Sequence, residues 1–223
     1  LNIDNLWAFE ICGIEVWITR TIFNTWLIML FLISFAIIVR IKLRKFKEIP
    51  SGFQNVVEAA IEMFENFYNQ SVGDRLEPVR IWFFAVFSFI LTSNLSGLLG
   101  LRPPTADWAT TFAFALSTFV LIHSLGFRYK KLSYLKGFFE PYPVFFPLNL
   151  IGELAIPISL SFRLFGNILS GMILMSLFYS ITPVLVRFVI PAFLHAYFDL
   201  FAGLLQTYVF CILSLIFIKG AVD

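Results

Sequence analysis

Between Val144 and Ile181 the chain runs for 38 residues with only two charged side chains, Glu153 and Arg163. A helix needs about 20 residues to cross a bilayer. A run nearly twice that length must tilt or bend if it is helical, and Pro157 marks the natural bend. A charge at the bilayer centre costs about 2.5 to 3.5 kcal/mol even on permissive insertion scales, and a guanidinium cannot shed its proton to escape that cost. Arg163 therefore calls for a partner. At helical spacing Ser159, Arg163, Gly166, Asn167 and Ser170 share one face, and small residues on it let a neighbouring helix come close. The pattern reads as an intramembrane charge facing a partner rather than a side chain reaching back to the surface.

Composition agrees. The 223 residues are 59% hydrophobic and 13% charged, whereas soluble domains hold about 45–50% apolar and about 25% charged residues. A soluble enzyme is excluded. A net charge of +2 is too small for nucleic-acid binding, and no Gly-Lys-Ser/Thr nucleotide loop occurs, so any ATP chemistry belongs to other chains. Two cysteines, Cys12 and Cys211, offer neither a metal spacing nor a disulfide framework. No cofactor and no metal are expected.

The first span is expected over about 18–39, ending at the basic run Arg40 to Lys47. By the positive-inside rule that end is cytoplasmic and the N-terminus lies outside. After Pro50-Ser51, an amphipathic helix over about 51–70 sets Phe53, Val56, Val57, Ala60, Ile61, Phe64 and Phe67 against Gln54, Glu58, Glu62 and Glu65, and should lie in the interface. The second span, about 81–101, stops at Arg102-Pro103-Pro104 because paired prolines bar helix continuation. The third, about 108–127, ends at the basic stretch Arg128 to Lys136. A long tilted helix over about 144–181 and a last helix from about Val184 or Pro191 to 218 complete the chain. The expected fold is an all-α integral membrane protein: five transmembrane helices and one interfacial helix in a single membrane domain, 1–223. Its last two helices form an antiparallel hairpin, and the C-terminus is cytoplasmic.

The last helix carries His195, Asp199, Gly203 and Gln206 at i, i+4, i+8 and i+11, again one face. In an antiparallel hairpin Gln206 and Arg163 should face each other. Asp199 and His195 then lie about 10 to 16 Å toward the outside, and Glu153 about 15 Å toward the cytoplasm. Asn94 is a polar residue inside the second span. A continuous polar file would leak ions, whereas two half-files separated by a fixed positive charge would not. An ion would have to be carried past Arg163 on something mobile, such as a carboxylate on a neighbouring subunit, neutral when occupied and attracted to the arginine when empty.

These residues resemble a family. SFRLFGNILSG, Ser161 to Gly171, closely resembles the signature around the essential arginine of subunit a of the F-type ATP synthase, and GLLQTYVF, Gly203 to Phe210, resembles its second signature. PTADWATT, Pro104 to Thr111, and SNLSG, Ser93 to Gly97, resemble the segments around the second and third spans. The resemblance implies a non-catalytic stator subunit in which Arg163 separates two aqueous half-channels beside a rotating c-ring. It carries the essential arginine onto Arg163, the following asparagine onto Asn167 and the glutamine onto Gln206, and sets Asp199 where relatives bear an ionisable group. Asp199 would serve the outer half-channel, alone or helped by His195, Asn94 or Thr105, and Glu153 the inner, with Ser159 on the arginine face. Met172 stands where many relatives have Glu or His. The partners implied are c-ring subunits, peripheral-stalk b subunits, the rest of the complex, membrane lipid and a transported H⁺ or Na⁺, at a bacterial inner membrane. A secondary ion transporter with an intramembrane arginine is the alternative, although such transporters commonly carry paired repeats and none is visible here.

Overall fold

The computed structural model describes residues 5–11, 14–44, 46, 50, 52–73, 76–183 and 190–222. Cys12, Ser51 and the Val184 start of the last helix lie outside the described residues. Among the described residues, five helices are long and apolar enough to cross a membrane: Arg20–Leu43, Val79–Leu99, Trp108–Lys130, Pro143–Ile181 and Phe193–Val222. The five-span helical architecture expected from the sequence is the one the chain adopts. Its backbone divides into two compact units, Leu1–Ser93 and Asn94–Asp223.

The first unit opens with an antiparallel hairpin, β1 (Asn5–Ile11) and β2 (Ile14–Thr19), pairing Trp7 with Ile18 and Ile11 with Ile14. The helical reading did not include it. Its signal is two runs of aromatic and β-branched residues on either side of Cys12-Gly13. The Thr19 hydroxyl then caps α1 (Arg20–Leu43), accepting the Ile22 amide at 3.4 Å. This helix buries only Thr21, Asn24 and Ile28. The amphipathic segment forms α2 (Phe53–Val72), followed by α3 (Glu77–Leu95). Within α2, Val57, Phe64, Tyr68 and Val72 pack inward, while Val56 and Ile61 of the expected apolar face stay 68% and 41% exposed. Phe64 meets Phe84 of α3 edge-on at 5.0 Å, and the Tyr68 hydroxyl donates to the Leu76 carbonyl at 2.6 Å.

The second unit starts at Asn94, in the last turn of α3. A short 3₁₀ turn, Ser96–Leu99, leads to Gly100 at φ 71°, the left-handed geometry in which glycine carries no Cβ penalty. A second turn, Pro104–Ala106, precedes α4 (Trp108–Lys130), whose N-cap Asp107 accepts the Ala109 amide at 3.2 Å. Thr111, Ala115, Thr118 and Ile122 make a buried stripe along α4. The small side chains of Thr111, Ala115 and Thr118 allow close packing against α6 (Phe146–Ile181) and α8 (Gly203–Val222). Between these lie α5 (Leu132–Gly137) and α7 (Ile190–His195). The 36-residue α6 has Pro157 inside it and is about 54 Å long. From Ala196 to Ala202 the last helix widens into a π segment before α8 begins. It runs antiparallel to α6, with Asn167 opposite Ala202 and Tyr179 opposite His195.

Candidate functional site

The residues expected to line one half of an ion path come together in the second unit. A cavity of about 240 Å³ is lined by Asn94, Asn167, His195 and Asp199, with Arg102 and Met172 in the same wall. His195 Nδ1 and an Asp199 carboxylate oxygen are 2.5 Å apart, and the other ring nitrogen lies 3.4 Å from the Tyr179 hydroxyl. Imidazole and carboxylate are thus joined by a direct hydrogen bond across one turn of the last helix. Asp199 is positioned by the π segment and by Gly97. A Cβ at Gly97 would stand 3.1 Å from both Cγ and Oδ1 of Asp199, tighter than an ordinary contact, so glycine lets the carboxylate lie against that turn without displacement.

Asn94 is fully engaged. Its Nδ2 donates to the Gly203 carbonyl at 3.1 Å and to the Thr207 hydroxyl at 3.2 Å, while its Oδ1 accepts the Thr105 hydroxyl at 2.8 Å. Asn94, Thr105 and Thr207 are all buried. Asn167 donates to the Ala202 carbonyl at 3.4 Å.

Arg163 stands apart from this cavity. It is exposed on α6, as are Ser159 and Ser170 on the same face, beside the half-exposed Phe162. Among the described residues it makes no hydrogen bond or ion pair within the chain. The register that sets Asn167 opposite Ala202 brings Gln206 to the level of Arg163, one turn further along each helix. Gln206 is nevertheless buried, with its Nε2 unbonded, so the two side chains do not hydrogen-bond each other. Arg163 faces outward instead.

Glu153 lies ten residues before Arg163 on α6, about 15 Å along the helix and on the side away from Asp199. One of its carboxylate oxygens is buried without a hydrogen bond. Its charge acts on His123 and Tyr134, which are joined through His123 Nδ1 and the tyrosine hydroxyl at 2.7 Å. Burial, and secondarily the Glu153 carboxylate, push the Tyr134 hydroxyl up to about 12, so it stays a protonated phenol at physiological pH.

Sequence reasoning singled out Asp199, His195, Asn94 and Asn167, which share the cavity. It also singled out Arg163, Ser159 and Glu153, which lie outside it. It passed over Arg102 as a mere end of a span, and over Gly97 as a ligand-side neighbour of Asp199. The signal for Arg102 was its place directly before Pro103-Pro104, where the chain must leave the helix and turn back.

Fold and site together define a multi-pass helical membrane protein with a part-buried acid–imidazole pair at one depth and an outward-facing arginine at another. The family model described as ATP synthase A chain matches residues 22–219. ATP synthase subunit a, sodium ion specific, of Propionigenium modestum is 35% identical over 222 residues, covering 92% of this chain and 74% of the relative. ATP synthase subunit a of Moorella thermoacetica is 35% identical, covering 92% and 91%, and that of Geobacter sulfurreducens is 33% identical, covering 89% and 86%. The chain belongs to the ATP synthase subunit a family. It is a non-catalytic membrane subunit, with ATP chemistry on other subunits of the complex in which it acts.

Proposed function

We propose that this chain is the ion-translocating stator subunit of a rotary ATP synthase, with Arg163 separating two offset aqueous half-channels that load and unload carboxylates of the c-ring. The observation that carries this reading is the outward exposure of Arg163 on a long apolar helix, with no hydrogen bond or ion pair inside the chain among the described residues. A charge left unpaired in hydrocarbon is costly, so its counter-charge must come from outside the chain. An anionic ring carboxylate supplies it when empty and departs when loaded and neutral. Gln206, at the same level, is a buried neighbour of that crossing point.

The outer half-channel is assigned to the cavity holding Asp199, His195, Asn94 and Asn167, and the inner one to Glu153. Ser159 extends the polar face around the arginine. Each translocated charge draws about 2.3 kcal/mol per 100 mV of membrane potential. The protein is read as one membrane domain in a bacterial inner membrane, N-terminus outside and C-terminus cytoplasmic, meeting c-ring and peripheral-stalk b subunits.

The test is ATP-driven ion uptake into vesicles carrying the whole complex, comparing the unsubstituted protein with Arg163→Ala and Asp199→Ala, with and without sodium. Loss of uptake in both supports the half-channels, and full uptake in Arg163→Ala refutes the central assignment. The Propionigenium modestum relative is named as sodium ion specific. Dependence of uptake on sodium would assign Na⁺ to this chain as well, and sodium-independent acidification would assign H⁺.

A further inference from the structure

The seven-residue π segment Ala196–Ala202 carries Asp199 at its centre. Such widened turns are rare, and they persist where side chains from outside engage the helix ladder. Two side-chain amides do so here, from two different helices. Asn167 of α6 donates to the carbonyl of Ala202, the last residue of the π segment, and Asn94 of α3 to the carbonyl of Gly203, the first residue of α8. The Thr207 hydroxyl donates to that same Gly203 carbonyl at 2.8 Å. Thr105 fixes which way the Asn94 amide points: its hydroxyl donates to Oδ1, leaving Nδ2 directed at α8. Gly97 gives the Asp199 carboxylate room against the turn, where a Cβ would stand 3.1 Å from it.

We propose that Asn94 and Asn167 are positioning residues that pin the junction between the π segment and α8, and thereby turn Asp199 toward the cavity; they act on the path through the backbone rather than by carrying the ion. The inference rests on the reading of Asp199 as the outer half-channel acid. It gives both asparagines one role through consecutive carbonyls. If the junction is released, the π segment relaxes to an α-helix, and residues on its N-terminal side turn by about 100° for one residue of register. Asp199 then leaves the cavity without any change to its own side chain.

The experiment uses the assembled complex in membrane vesicles, with Cys12→Ser and Cys211→Ala as background and single cysteines in place of Phe198, Asp199 or Leu200. The readout is the rate of reaction with a water-soluble methanethiosulfonate reagent, in the background and with Asn94→Ala and Asn167→Ala combined. The expected result is fast reaction at 199 in the background. In the double variant the rate at 199 falls by about tenfold and reactivity moves to a neighbouring position, as a one-residue change of helix register requires. Thr105→Val, which keeps both asparagines, shifts the pattern in the same direction, and Thr105→Ser restores it; this pair serves if the double variant does not assemble. An unchanged pattern in the substituted proteins, with ion uptake lost, overturns the proposal and returns the asparagines to the ion path. Full uptake in Asp199→Asn overturns the underlying reading of the acid instead, by a measurement independent of the thiol pattern.

Discussion

Asp199 has so little room that its surroundings can be tested one atom at a time. Gly97→Ala places a methyl group 3.1 Å from the carboxylate's Cγ and Oδ1, tighter than an ordinary contact. The carboxylate must move, and ion uptake is expected to fall several-fold while the complex still assembles; uptake equal to that of the unsubstituted protein would show that Asp199 is not tied to this position. His195→Ala removes the imidazole 2.5 Å from the carboxylate. Ion uptake is then expected to fall several-fold, since the carboxylate loses the hydrogen-bond partner that orients it; uptake equal to that of the unsubstituted protein would show that the imidazole does not hold Asp199 in place. Asn94 and Thr105 are both buried, so Thr105→Val takes from the Asn94 oxygen the hydroxyl it accepts and leaves it unsatisfied. That costs about 1 to 3 kcal/mol, visible as a lower temperature for disassembly of the complex.

At the scale of elements, the closest packing lies between α4 and its neighbours, where Ala115 and Thr118 are wholly buried. Ala115→Leu adds three carbons to a site with no space, and overpacking of this kind costs about 1 to 3 kcal/mol; less subunit should be recovered in the membrane, with the polar cavity otherwise intact. The α6 pattern was legible because it is periodic: Ser159, Arg163, Asn167 and Ser170 do share a face. The last helix was less so. An α-helical period places His195, Asp199, Gly203 and Gln206 in one row, but the π segment changes the turn between the first pair and the second. His195 and Asp199 therefore line the cavity, while Gln206 is buried about two helix turns beyond Asp199. Nothing in the local sequence announces a π turn, because the donors that hold it, Asn94 and Asn167, lie on other helices.

For the whole molecule, the ends of α4 and α8 report on insertion. Lys130 donates to the Gly220 carbonyl at 3.4 Å, so both helix ends emerge at one membrane face. Cysteines at Lys130 and Val222 are expected to label from the same side, and one at Leu99 from the opposite side. Labelling of Lys130 and Leu99 from one side would overturn the topology read from the basic residues.

What the sequence determined by itself was the set of spans and the charge asymmetry between their ends. Hydropathy is a local property: every peptide group in hydrocarbon must be satisfied within its own helix, so length and composition settle where the helices run. Tertiary structure decided which polar residues meet. It set Arg163 outward and Gln206 inward at the same depth, brought Arg102 and Gly97 to Asp199 from a turn, and widened the last helix where two distant asparagines reach its carbonyls. Those outcomes depend on the rotation of each helix about its axis, which is set by packing and hydrogen bonds between segments far apart in the chain, and no local pattern encodes it.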